Sequence, residues 1–141
     1  MGMWKIRSSL EEWETVAQMI EDDLCEFGFS NKFAISLMLA MDEIFANIAA
    51  YAYEPEQGEV IVKSEYEKTS GERIAKITFI DHGKKFNPLK DAAEPDVSGS
   101  VALKRKIGGL GIFLTKKQVD ELNYSYINAS NNLTLLKKEL I

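Results

Sequence analysis

The chain has 141 residues, a length typical of one domain with a full hydrophobic core, so we predict a single domain over residues 1–141. With 45% hydrophobic and 28% charged residues, the composition excludes a disordered chain. The charge-free apolar run at residues 33–41 is half the roughly 18 residues that a membrane-spanning helix needs. Because no secretion signal is visible at the N-terminus either, we expect a cytoplasmic protein without membrane association. A single cysteine, Cys25, excludes an internal disulfide, and we expect it to pack as a small hydrophobic residue.

Charge is distributed unevenly along the chain. The net charge is −5, but residues 1–56 hold three basic against eleven acidic side chains, whereas the remainder carries fourteen basic against eleven acidic ones. Such an acidic chain is a poor candidate for nucleic-acid binding. The more basic second half could bind a polyanionic ligand, or the asymmetry could reflect only uneven solvation of a helical surface.

Two helices are predicted in the first half of the chain. Between Ser9 and Phe27 the apolar residues recur every three or four positions, and Gly28 would end this amphipathic helix. Ser30 can cap a second helix over residues 31–53. The second helix is apolar on most of its circumference, which predicts a central and buried position.

The second half of the chain predicts two antiparallel strand pairs. Residues 59–66 and 73–80 form the first pair. Residues 124–128 and 133–140 form the second pair, flanking a turn-prone segment at 129–132. A long charged loop and an amphipathic helical run at 112–122 lie between the pairs. This order predicts an α+β two-layer sandwich with a mixed, mostly antiparallel sheet.

Two polar residues stand one turn apart in the predicted central helix. Glu43 and Asn47 share a face because they are four residues apart. A carboxylate in so apolar a helix should face a cleft, a metal or a donor, and carboxylate and amide oxygens both suit Mg²⁺. The alternative is that this face simply reaches solvent.

A second candidate lies at the end of a predicted strand. Asp81 follows alternating apolar residues, so its carboxylate would emerge beside an apolar wall and could accept a hydrogen bond from an exocyclic amine such as that of adenine. Gly83 would let a ligand approach the backbone closely. The alternative is an ordinary Asp-His-Gly turn, and its His82, the only histidine, excludes a metal site that needs two imidazoles.

Glycines precede the last helical run. In Gly108-Gly109-Leu110-Gly111 the backbone N–H groups could contact phosphate oxygens, with Lys104-Arg105-Lys106 just upstream. No Walker motif occurs in the chain, which excludes a P-loop ATPase. Taken alone, the glycines could also serve only as a hinge.

The three candidates together resemble the GHKL family of ATP-binding domains, and more narrowly the anti-sigma-factor serine kinases. Residues 42–47 are similar to the N box, residues 81–88 to the first glycine box, and residues 108–114 to the second. The resemblance covers nearly the whole chain and implies the Bergerat fold. Tyr51 departs from the pattern, because many relatives have a histidine there.

By position, the resemblance implies a complete set of roles for binding ATP and Mg²⁺. Glu43 would be the general base, and Asn47 the Mg²⁺ ligand. Asp81 would bind the adenine amino group, with Gly83 leaving room for the base. The other implied nucleotide-binding residues are Phe86, Lys106 (or Arg105) of a lid at about residues 87–110, Gly109, Leu110 and Gly111.

The resemblance also implies a function. It predicts a serine/threonine protein kinase that binds a sigma factor, phosphorylates a STAS-type anti-sigma factor antagonist and forms a homodimer. The alternative is a non-catalytic ATP-binding module that only sequesters a protein partner.

Overall fold

The computed structural model describes residues 1–88 and 115–141 as two helices packed on one face of a five-stranded sheet. The strand order is β1-β2-β3-β5-β4, and every described pairing is antiparallel. This confirms the predicted α+β two-layer class. The elements are β1 (Gly2–Arg7), α1 (Leu10–Phe27), α2 (Asn31–Tyr51), β2 (Glu59–Lys68), β3 (Glu72–Asp81), β4 (Glu121–Ile127) and β5 (Ser130–Leu140).

Serine caps position both helices. Ser9 Oγ accepts a hydrogen bond from the backbone N–H of Glu12 at 3.2 Å, and Ser30 Oγ accepts one from Phe33 at 3.1 Å. Each bond satisfies an N–H group that has no partner inside the helix. Gly28 ends α1 with φ at 99°, a left-handed conformation that glycine adopts without strain. The predicted helix ends are therefore confirmed, except that α2 ends at Tyr51 and not at residue 53.

The core lies between the helices and the sheet. Trp13 of α1 stacks on Phe45 of α2 with ring centroids 5.0 Å apart, and it also contacts Phe79 of β3. The Trp13 Nε1–H donates to Asp42 Oδ1 at 2.8 Å, so the ring is held at both its apolar body and its polar tip. In the described part of the chain, α2 is the one helix long and apolar enough to match a membrane span, but Leu37, like its other buried residues, belongs to this shared core.

Three sequence expectations differ from the structure. β1 was not predicted, although Trp4 and Ile6 pack against the core from it. Of the helical run predicted at 112–122, residues 112–114 lie outside the described residues and 115–118 are helical, but its end is wrong because β4 begins at Glu121 and pairs with β5 there. Cys25 is exposed, because it lies on the solvent side of α1 and not on the buried stripe.

Candidate functional site

A narrow cleft with about 40 Å³ of free volume, partly open to solvent, lies between the C-terminal half of α2 and the ends of β3, β4 and β5. Three of the predicted site residues, Asn47, Asp81 and Phe86, line this one cleft. The remaining lining residues are Ile44, Ile48, Tyr51, Ala52, Phe79, Lys84, Pro88, Tyr124, Asn131 and Leu133. The cleft is thus mostly apolar with a few polar groups, which is the usual composition of a small-molecule site.

Asp81 is the last residue of β3 and only 5% exposed. Its Oδ1 accepts two hydrogen bonds, from the backbone N–H of Gly83 and from Asn131 Nδ2, each at 2.9 Å. Within residues 1–88 and 115–141, no hydrogen bond reaches Oδ2. The carboxylate therefore keeps one oxygen available to a donor from a ligand.

Asn131 holds this carboxylate in place. Besides the bond to Asp81, its Nδ2 donates to the carbonyl oxygen of Lys84 at 2.8 Å. Its Oδ1 accepts from the backbone N–H of Phe86 at 3.1 Å and from the Tyr124 hydroxyl at 2.5 Å. The sequence reasoning missed Asn131 because it placed this residue in a turn. No sequence signal marks it, because only the strand register sets residue 131 opposite Asp81.

Glu43 and Asn47 lie one turn apart on α2. Burial raises the pKa of the Glu43 carboxyl above its ordinary value, and the neighbouring Asn47 amide offsets part of this shift. Asn47 Nδ2 is itself buried without a hydrogen-bond partner in the described part of the chain. This side chain lies beside the Glu43 carboxyl and favours the charged form of that group. Glu43 does not line the cleft but stands one turn before Asn47.

Phe86 and Tyr51 lie at the mouth of the cleft. Their ring centroids are 6.4 Å apart, and the side chains are 36% and 49% exposed. Both rings thus keep surface available to a ligand. Tyr51, which departs from the histidine of many relatives, contributes apolar lining here.

Gly83 is adjacent to the cleft but does not line it. A Cβ atom at this position would stand 2.1 Å from the carbonyl oxygen of Ala52, just beyond α2. The same carbonyl accepts a hydrogen bond from the backbone N–H of Lys84 at 2.9 Å. Position 83 therefore requires glycine because this chain's own backbone, at Ala52, lies so close to it.

Replacing Gly83 by alanine is expected to lower the free energy of unfolding by about 1–3 kcal/mol, the usual cost of inserting a group into a packed site. Urea denaturation would measure the loss. Gly71→Ala is the control, because a Cβ atom there has nothing within 4 Å. Equal stability of the two variants would contradict this account of Gly83.

The buried carboxyl of Asp81 should make stability depend on pH. Burial raises the pKa of Asp81, and the hydrogen bonds from Asn131 and Gly83 lower it only in part. Above the ordinary carboxyl pKa, the folded chain still holds a proton that the unfolded chain has lost. Stability contributed by this group is therefore lost as pH rises through the raised folded value.

Asp81→Asn is expected to remove that loss, because the amide carries no charge to desolvate. Urea unfolding at several pH values would show the variant gaining stability relative to the wild type as pH rises. Asp22→Asn, an exposed site on α1, is the control. Parallel pH curves for the wild type and Asp81→Asn would contradict the assignment.

The phosphate end of the predicted site lies outside the described residues. This applies to Lys106, with its alternative Arg105, and to Gly109, Leu110 and Gly111. It also applies to most of the predicted lid at residues 87–110. Their roles stay predictions.

Comparison with known proteins gives the family of the chain. The model of the histidine kinase-like ATPase domain matches residues 6–137, almost the whole chain. The chain belongs to the histidine kinase-like ATPase family. A chain in the crystal structure of the SiaB-SiaC complex from Pseudomonas aeruginosa has the same fold. Its TM-score is 0.62 at 14% identity, with 99% of this chain and 90% of that chain covered. No curated protein matches significantly.

Membership of the histidine kinase-like ATPase family implies ATP binding, and the described residues fit it. The cleft has mostly apolar walls and offers one carboxylate oxygen to which no described residue donates a hydrogen bond. The described residues contain no group of three or more His, Cys, Asp or Glu side chains placed to hold a metal. A Mg²⁺ ion carried by phosphate oxygens and water needs only one or two protein ligands, so Asn47 is compatible with it.

Proposed function

We propose that this histidine kinase-like ATPase domain is an ATP- and Mg²⁺-dependent serine/threonine protein kinase that acts as an anti-sigma factor in the cytoplasm. Its substrate would be a STAS-type antagonist of that anti-sigma activity. The observation that supports the proposal best is the convergence of Asp81 and Asn47 on one cleft, with Glu43 one turn away on α2. In this proposal Asp81 serves the base, whereas Asn47 and Glu43 serve the phosphates.

Each residue has a distinct role in the proposed reaction. Asp81 Oδ2 accepts a hydrogen bond from the exocyclic amine of adenine, while Phe79 and Leu133 pack beside the base. Asn47 would hold Mg²⁺, which supplies charge neutralisation at the phosphates when bound. Glu43 accepts the proton of the substrate hydroxyl while the hydroxyl oxygen forms a bond to the γ-phosphorus. The bond to the β–γ bridging oxygen breaks, and ADP leaves.

The raised pKa of Glu43 suits this role. A general base works best when its pKa lies near the operating pH, and burial moves the Glu43 carboxyl in that direction. The four residues implied at the phosphate end (Lys106, Gly109, Leu110 and Gly111) would complete the site by contacting phosphate oxygens.

The partners form the second part of the proposal. We expect a homodimer that binds a sigma factor and exchanges it for the antagonist. The solved chain of similar fold was crystallised within a complex of two named proteins, SiaB and SiaC. That complex supports the general expectation of a protein partner.

One observation favours a second candidate function. Glu43 does not line the cleft, whereas the base-binding residues are already assembled there. The chain could therefore hold ATP as a regulatory ligand and act only by sequestering a protein partner.

The decisive experiment is to incubate the protein with Mg-ATP and a candidate STAS antagonist and to weigh the antagonist by mass spectrometry. The kinase proposal predicts the mass of one added phosphoryl group on a serine or threonine. Chelation of Mg²⁺ should abolish the gain. ATP binding without transfer to any cognate antagonist would overturn the kinase proposal and support the regulatory module.

A further inference from the structure

The four hydrogen bonds of Asn131 fix the orientation of its side-chain amide. Its Oδ1 faces two donors, the Phe86 backbone N–H and the Tyr124 hydroxyl. Its Nδ2 faces two acceptors, Asp81 Oδ1 and the Lys84 carbonyl. A flipped amide would oppose its N–H groups to the Phe86 N–H and its oxygen to Asp81 Oδ1 and the Lys84 carbonyl, so only one orientation satisfies the site.

This fixed amide immobilises the Asp81 carboxylate in turn. Asn131 is 6% exposed and Asp81 is 5% exposed, so water competes little for either group. With Oδ1 held by Asn131 and by the Gly83 N–H, the carboxylate cannot rotate without losing two hydrogen bonds. Its Oδ2 therefore keeps one position relative to the cleft.

We infer that Asn131 is a positioning residue that makes the cleft selective for 6-aminopurine nucleotides over 6-oxopurine nucleotides. The inference rests on the proposed ATP site. A fixed Oδ2 can accept from the exocyclic amine of adenine, but it faces the oxygen at the same position of hypoxanthine. A carboxylate free to rotate could instead accept from the N1–H of the 6-oxo base. The preference for adenine over hypoxanthine thus comes from an immobile Asp81 carboxylate, and Asn131 immobilises it.

The test compares ATP with inosine 5′-triphosphate, which differs at the 6-position of the purine and lacks the amine. Asn131→Asp keeps the shape of the side chain but replaces the two N–H donors with at most one O–H. Because it can no longer satisfy both Asp81 and Lys84, we expect the preference for ATP over inosine triphosphate to fall about tenfold or more, the effect of losing a hydrogen bond to a charged group. Calorimetric titration with both nucleotides gives the ratio.

Two further variants serve as a control and as a second test of Asn131. Asn132→Asp is the matched control, because the neighbouring side chain alternates to the other face of β5 and its amide donates to the Ser130 carbonyl. It should retain the wild-type ratio. Asn131→Ser removes the amide without adding charge, and it should lower the ratio even if Asn131→Asp fails to fold.

The outcomes separate this inference from the proposed function. Failure of the wild-type protein to bind ATP would overturn the ATP site itself. If the wild type binds ATP but shows no preference over inosine triphosphate, or if the folded Asn131 variants lose both affinities equally, Asn131 is only a structural residue and the inference is wrong.

Discussion

Glu43→Gln is expected to lower the rate of phosphoryl transfer by about 10²- to 10⁴-fold, the usual contribution of a general base. Glutamine has nearly the same shape but cannot accept the proton of the attacking hydroxyl. ATP affinity should change little, because Glu43 does not line the cleft proposed to bind the base. Single-turnover transfer of labelled phosphate to the antagonist would measure the rate, and calorimetry would measure the affinity.

The neighbouring carboxylate provides the control. Asp42 is exposed on α2 and accepts the Trp13 indole N–H at 2.8 Å. Asp42→Asn should therefore affect stability and leave the transfer rate close to the wild-type value. If Glu43→Gln transfers phosphate as fast as Asp42→Asn does, Glu43 is not the general base. A wild type that transfers no phosphate at all would instead favour the regulatory module.

Asp81→Asn is expected to weaken ATP binding by about 10- to 100-fold, because a buried hydrogen bond to a charged acceptor is lost. The amide oxygen should stay with the two donors that now hold Oδ1, Asn131 Nδ2 and the Gly83 N–H. The amide nitrogen then faces the cleft and opposes the adenine amine, donor against donor. The relative loss of affinity should be largest for adenine alone, without the sugar and phosphates.

Inosine triphosphate supplies the internal control for this variant. An amide N–H facing the cleft can donate to the 6-oxo group, so binding of inosine triphosphate should improve while binding of ATP falls. Thermal shift and calorimetry on the same preparation would show both effects. Equal weakening of both nucleotides would mean that Asp81 supports folding and does not recognise the base.

The sequence predicted both helices and both hairpins because their signals are local. Serine caps, glycine stops and three-four spacing act within a few residues, and tertiary packing did not override them. β1 was missed for the opposite reason. Its six residues alternate inward and outward but gain their strand conformation from pairing with β2, more than fifty residues later.

The site residues that stand in sequence motifs were predicted, whereas the residue whose place depends on strand register was missed. Asp81 and Asn47 stand in recognisable patterns, and the structure brings both to one cleft. Asn131 stands among turn-forming residues, whereas the tight turn is at Asn128 and Ala129, both with positive φ. That shift of the turn places Asn131 in β5, and no local pattern reports which residue of a distant strand it will face.

Asp81 ends a central strand and is not part of a loop. Its backbone aligns with Val60 of β2 on one side and with Asn131 of β5 on the other. The conformational entropy of Asp81 is therefore lost when the chain folds, before any ligand arrives. Under the proposed function, adenine alone should consequently bind the cleft with high efficiency per atom.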